Sequence, residues 1–414
     1  MGTTAMSVGF IPAAGTRWQK QEGVADTAEL LAADILAKNK GETDPEMVRH
    51  LAHHSAPTLE WLVDKHAIPL SFMIRDHYPG HAVPRMHGTP NRSGAELMRA
   101  LAAAAVRVGV KFVTRAKVTH LFADATGGIL GVRYTGTNGA ATDLACDALI
   151  LACSGFAANR AMVAEQIPEI LPASVFAHAG SQGDAMTWGR QLGAQLADLH
   201  AYQSHGGFSP EGLSPVPWAH ILRGGIQVNT TGKRFSDESR NYAERALDVL
   251  AQPDHFVWSI FDERIHVSML EFEPYRALLD KGCILAARDV SELRAVTGLP
   301  AAIEDTLKEV AQYASGQRAD PLKRDFTKTP ALQAPYRAVK VTGALYHTQG
   351  GLLVDGQARV IKASGEAFPN LFAGGGAARG ISGPGCSGYL AGNGLLTATV
   401  LGRLAGQAAS NLVK

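Results

Sequence analysis

The sequence predicts an α/β fold in which one strand–turn–helix domain is split in two by an inserted α+β region. Three observations predict it. Residues 147–153 form a short, nearly continuous apolar run ending in Ser154-Gly155, the pattern of a strand buried on both faces that runs into a tight turn. The tail returns to strand, turn and helix after residue 345. Residues 200–345 between them are richer in Pro, His and aromatic side chains. The expected division is 1–200, an inserted 201–345, and 346–414.

The elements follow in order. Asp26-x-x-Glu29 before Leu30-Leu31 reads as a capping box that starts a helix. Asp44-Pro45 places an N-cap and a first-turn proline ahead of a helix that runs to His66. Ser93 opens a third helix over 95–108, and Gly109 closes it. Residues 110–114, 117–122 and 129–134 read as strands from their β-branched and aromatic content. In the middle region helices are expected over 242–250, 275–281, 290–296 and 302–316. The tail gives strands at 351–355 and 370–373, a Gly-rich loop, and a last helix to about Ala409.

Composition narrows the function. Thirty-nine Lys+Arg against 38 Asp+Glu leave a net charge of +1, and 46% of residues are hydrophobic. That content can bury a core, which excludes disorder, and it lacks the basic excess of a nucleic-acid binder. Glycine, 44 of 414 residues, has no period of three and clusters at 343–356 and 374–394, so it is positional rather than collagen-like. Cys146, Cys153, Cys283 and Cys386 suit neither a disulfide framework nor a zinc site. Residues 1–7 match neither a signal peptide nor a myristoylation signal. The apolar stretch Tyr389–Gly406 is broken by Asn393 and Arg403, which reads as a buried helix rather than a membrane span. A soluble, cytoplasmic protein is expected.

The strongest local motif is the loop 374–388, with a literal G-x-G-x-x-G at 383–388. A dinucleotide fingerprint also needs a later strand and an acidic residue about 20 positions on. No Asp or Glu follows Gly383, so that reading fails. What remains is a Gly-rich backbone feeding a helix N-terminus near 389–396. It suits either the stabilisation of a partly negative acceptor or a tight turn that packs only small residues. His53-His54 lack an H-E-x-x-H companion, so no metal site is expected. Neither a G-x-S-x-G elbow nor a P-loop is present.

Several segments, taken together and in order, resemble the flavoproteins of the fumarate reductase/succinate dehydrogenase type. Residues Thr3 to Thr16 resemble their flavin-contacting loop. Ala152-Cys153-Ser154-Gly155-Phe156 resembles their strand and turn ending in ATGGF, and Gly183-Asp184 their GDG turn. Gly232-Lys233-Arg234-Phe235-x-x-Glu238 is similar to GkRFxxE, and Tyr346-His347-Thr348-Gln349-Gly350-Gly351 to HHTMGG. Leu371–Gly376 and Leu390–Gly406 resemble the family's terminal motifs.

The resemblance implies FAD held in a split α/β domain, and a capping domain that closes over a small-molecule substrate. It implies hydride transfer between flavin N5 and a carbon next to an activating carbonyl or carboxylate, with an external electron donor or acceptor. It places the cofactor against Thr3, Thr4, Ser7, Gly9, Ala14, Gly15, Val118, Cys153, Ser154, Gly155, Asp184, Gly375, Gly376, Asn393, Gly394, Leu395 and Leu396. His205 and His347 fall where fumarate reductases place substrate-binding histidines. The two arginines that clamp a dicarboxylate in that family are Tyr242 and Tyr389 here, which speaks against fumarate. Tyr242, in Arg234-Phe235-x-x-Glu238-Ser239-x-x-Tyr242, resembles instead the general base of the 3-ketosteroid dehydrogenase branch. It is either catalytic or a packed aromatic. Arg85 and His87 either line the same mouth or form a structural ion pair.

Relatives open with a strand–GxGxxG–helix–strand unit for the ADP half of FAD, and Met1-Gly2 stands where that unit ends. The expectation is a late start, a partner chain that supplies the unit, or loss of FAD binding. An FAD-dependent dehydrogenase or reductase acting beside a carbonyl, on a steroid-like or other non-dicarboxylate substrate, is therefore set against two alternatives. One is a truncated, non-catalytic scaffold or partner-dependent subunit, and the other a dicarboxylate reductase.

Overall fold

The computed structural model describes residues 2–413. A 3-10 turn, Thr3–Met6, leads the chain past helix α1 (Ala28–Lys38), helix α2 (Pro45–His66) and helix α3 (Gly94–Arg107). The caps are local and chemical. Asp44 accepts from the N–H groups of Glu46 and Met47 with Pro45 at N1, and Ser93 accepts from Glu96. For α1 the expected start is one residue early. Thr27 is the cap, accepting from Leu30, because Asp26 is turned inward to Arg85. The Gly94 N–H donates to the Ser7 carbonyl at 2.8 Å, and a Cβ on Gly94 would lie 1.9 Å from the Thr4 carbonyl. That close approach fixes the first loop against α3.

Residues 110–114 form no strand. No neighbouring edge pairs with them, and Val110, Phe112 and Val113 stand 50–61% exposed. Lys117–Ala123, Ile129–Thr135 and Ala141–Ala145 make an antiparallel three-stranded sheet. Strand β1 (Leu149–Leu151) is shorter than expected and not buried on both faces: Ile150 is 38% exposed. The cause is that its Ile150 face looks into an open cavity rather than onto protein, while Leu151 on the other face is buried.

The middle of the chain, joined by Ser174–Val175 from before it, builds a seven-stranded sheet. It contains β2 (Tyr202–Ser209) and β3 (Phe256–Asp262), with helix α4 (Tyr242–Leu250) packed on β2, and its long central strand is β4 (Tyr336–Thr348). β2 and β3 flank β4 antiparallel, with Gln203 opposite His347 and His205 opposite Ala344. The register of β2 slips on both sides of His205. At that bulge α4 comes close: a Cβ on Gly206 would lie 2.7 Å from Arg245 backbone, and Ser204 Oγ donates to the Ala243 carbonyl at 2.7 Å. The amphipathic helices at Glu273–Asp280, Val290–Thr297 and Ala302–Ala314 cover this region near their expected positions.

Strand β5 (Ala367–Ala373) then pairs in parallel with β1, Leu371 opposite Leu149 and Ala373 opposite Leu151. Early and late segments of the sequence thus share one sheet, the physical form of a split domain. Gly392, at φ 87°, turns the chain into helix α5 (Asn393–Ser410). A Cβ on Gly376 would sit 2.7 Å from the Gly155 nitrogen, so the turns after β1 and β5 lie back to back.

Side chains tie the middle region to the rest. Lys38 pairs with Glu244, and Asn241 donates to the Tyr389 carbonyl. Arg92 and Arg223 both reach Asp76 and Glu271, and their guanidinium groups lie 5.3 and 5.6 Å from the Phe272 ring.

Candidate active site

One cavity of about 470 Å³ lies where these parts meet. Thr3, Thr4, Ser7 and Gly9 of the first loop form part of its wall, with Ser154 after β1 and Gly375 and Gly376 after β5. Gly394 and Leu395 of α5 continue the lining, and His205, Tyr242, His347 and Tyr389 complete it, His347 and Tyr389 lying against Gly394. Thirteen of the residues singled out from the sequence are thereby brought together.

Others stand behind the wall. Ala14 is in the core, with its N–H donating to Ser55 Oγ, and Gly15 is a positive-φ turn. Gly155 is pinned by Thr348, whose Oγ1 lies 1.9 Å from where a Cβ would be. Cys153 packs on the core, Leu396 is fully buried within it, and Asp184 begins the helix Asp184–Leu192. Val118 sits on the outer three-stranded sheet. Arg85 does not line the cavity: its side chain is fully buried, paired with Asp26 at 2.8 Å and with Asp34. His87 is likewise buried away from it, 3.0 Å from Thr16 Oγ1. Sequence reasoning missed Tyr78, Phe176, Trp218, Tyr346 and Gln349 on the wall. Tyr346 and Gln349 flank His347 and were within reach of the same motif; the other three come from separate elements with no local signal.

The wall is aromatic and uncharged. His205 is stacked between Tyr242, with centroids 4.9 Å apart, and Tyr346, 5.3 Å away and nearly parallel, while Trp218 meets it edge-on at 5.5 Å. No Asp, Glu, Lys or Arg is on the wall among the described residues. Burial lowers His205 to about 3 and His347 to about 4, so both rings are neutral at pH 7. The Gly207 N–H donates to His205 Nδ1 at 2.9 Å, which leaves the proton of that neutral ring on Nε2. Burial also pushes Tyr242 and Tyr346 well above the ordinary phenol range. Tyr389 is raised by burial too, though its Oη lies 3.5 Å from the Gly394 N–H, and hydrogen bonding from Gly394 and Tyr242 opposes the rise.

A family model described as FAD binding domain matches residues 1–395. The chain is 26% identical over 416 residues to the fumarate reductase (cytochrome) of Shewanella frigidimarina, covering 100% of this chain and 71% of that protein. A solved structure of the open conformation of a flavocytochrome c3 fumarate reductase superposes with TM-score 0.81 at 24% identity, covering 99% of this chain and 72% of that one. The 3-ketosteroid-Δ4-(5α)-dehydrogenase of Rhodococcus jostii RHA1, solved with 4-androstene-3,17-dione, gives TM-score 0.71 at 25% identity over 99% of this chain and 89% of its own.

The residues present fit a flavin, a flat ring system with apolar faces and an acceptor-rich edge. Gly402 faces open space on the cavity side of α5, with nothing within 4 Å of the point where a Cβ would stand. Asn393, wholly buried at the start of the same helix, has no partner for either polar atom of its amide. Both features suit a large ligand with polar atoms at the helix N-terminus. The chain belongs to the FAD binding domain family, and FAD is its cofactor.

Proposed function

We propose that this FAD-dependent oxidoreductase reduces a carbon–carbon double bond conjugated to the carbonyl of a neutral, ring-bearing substrate, with Tyr242 as proton donor. The uncharged aromatic wall is the observation that carries this reading. Bound FAD supplies the two-electron chemistry, a hydride exchanged at N5. The residues of the chain do the rest. His205 presents a neutral N–H to the cavity, and Tyr389 adds a hydroxyl, groups suited to polarising a carbonyl oxygen. Tyr242 keeps its proton throughout the physiological range because burial raises it, which favours a general acid over a resting base. The reverse reaction uses the same groups.

A dicarboxylate fits the cavity poorly. Each carboxylate would be desolvated with no Lys or Arg on the wall among the described residues, a cost of several kcal/mol per ion. The relative from Rhodococcus jostii, solved with a neutral diketone, supports the same substrate class.

The test is stopped-flow reoxidation of chemically reduced, FAD-loaded protein by a panel of neutral cyclic enones and by fumarate. Reoxidation by enones and not by fumarate is expected. Tyr242→Phe should slow it by roughly 10²–10⁴-fold with FAD affinity unchanged. Turnover of fumarate alone would replace this reading with the dicarboxylate reductase. A chain that retains no FAD, even when it is added, would favour the non-catalytic scaffold.

A further inference from the structure

We infer that Gln349 is a positioning residue that sets the tautomer of His347, so that this ring, like His205, offers an Nε2–H to a neutral acceptor in the cavity. The inference rests on the reading of the cavity as the site of carbon–carbon oxidoreduction.

Two features of the local chain hold Gln349 still. Its N–H donates to the Ala201 carbonyl at 2.7 Å, and its own carbonyl accepts from the Gly380 N–H at 2.7 Å. The next residue must be glycine, because a Cβ at Gly350 would lie 2.0 Å from the Asp198 carbonyl. The side chain, 4% exposed, then spans a gap between two groups. Ser382 Oγ donates to Gln349 Oε1 at 3.1 Å, and Gln349 Nε2 lies 2.8 Å from His347 Nδ1. Ser382 is itself buried, and with its hydroxyl proton on Oε1 the NH₂ end of the amide faces the imidazole, a single consistent donor chain from Ser382 through Gln349 to His347.

An N–H that points at Nδ1 makes that nitrogen an acceptor, and in a neutral ring the proton is then on Nε2. That edge of the ring faces the cavity side of α5. A Cβ on Gly394 would lie 2.9 Å from His347 Nε2, so the missing side chain is what admits the ring there. Tyr389 meets the same ring at 5.8 Å between centroids. The two histidines of the wall are thus matched donors, His205 set by a backbone N–H and His347 by a side chain. Only the second can be altered by substitution. Two neutral donors serve a carbonyl oxygen. A ring with Nδ1–H and a bare Nε2 would repel it.

The readout is long-range ¹H–¹⁵N correlation NMR on the full chain with ¹⁵N-labelled histidine, the His347 signals being assigned with His347→Asn. The wild-type protein is expected to show a pyridine-type Nδ1 and a pyrrole-type Nε2, unchanged from about pH 5 to 8. Gln349→Met should give a mixture of tautomers. Gln349→Glu should move the proton to Nδ1 and bring the ring's titration into that window, adding a new break to the rate–pH profile. In steady-state kinetics Gln349→Met should lower kcat/KM for a neutral enone about tenfold while FAD affinity stays the same. A pyrrole-type Nδ1 in the wild type, or a tautomer unmoved by Gln349→Met, overturns the inference. The wild-type spectrum can overturn the inference even if one variant fails to fold, and the Gln349→Glu spectrum stands in for Gln349→Met in that case. It is also independent of turnover: a correct tautomer in a protein that reduces no enone would reject the proposed reaction and leave the role of Gln349 standing.

Discussion

His81, His87, His205, His220 and His347 are each lowered to about 3–4 by burial, against an ordinary value near 6.5. Unfolding frees them to bind protons, so between about pH 6.5 and 4 the unfolded chain holds more protons than the folded one. Stability is full above 6.5 and falls as pH drops, by up to about 1.4 kcal/mol per pH unit for each ring. Glu238, held at about 2 by Arg234, Arg324 and Arg245, loses its contribution only at lower pH and does not blur this window. Urea midpoints measured from pH 7 to 4.5 should show a steep decline, and His220→Gln, outside the cavity, should shed one ring's share of the slope. A flat profile would show that these rings are solvated. At this scale the grouping of the candidate residues was partly legible. Tyr242, His205, His347 and Tyr389 sit in recognisable contexts and do share one cavity. Arg85 could not be read, because nothing in Pro84-Arg85-Met86 shows that Asp26 and Asp34 fold in to pair with it.

Helix α5 shows how an element can be shaped by what it faces. Gly402 sits in its interior, where glycine weakens a helix by roughly 0.5–1 kcal/mol relative to alanine, yet no protein atom lies near its missing Cβ. Gly402→Leu should therefore fold with unchanged or raised thermal stability and lose flavin affinity at least tenfold, read by fluorescence titration with FAD. Unimpaired binding would move the cofactor off this face. Elements whose starts depend on one side-chain hydrogen bond, as at Asp44 and Ser93, were legible from sequence because that bond is local. The stretch 110–114 was misread because β-branched residues suit a strand only where an edge is there to pair with, and pairing is not local. Thr27 displaced Asp26 as the cap of α1 for a related reason: a distant guanidinium competes for the carboxylate.

In the whole molecule, the parallel pairing of β1 with β5 and the long strand β4 bring four separate stretches of sequence to one cavity. The split was legible because the strand–turn pattern recurs on both sides of a region of different composition. The aromatic box was not, since Phe176, Trp218 and Tyr346 acquire a common purpose only once β2 and β4 are paired. The neutral wall they help to build has a kinetic side. Among the described residues the wall carries no charged side chain, and a neutral ligand has no net charge for a field to act on, so salt has little to screen in their encounter. Substrate capture should then depend on collision and fit alone. Measured kcat/KM for a neutral enone should stay constant across about a tenfold range of ionic strength, and a marked decline with added salt would overturn this reading of the encounter.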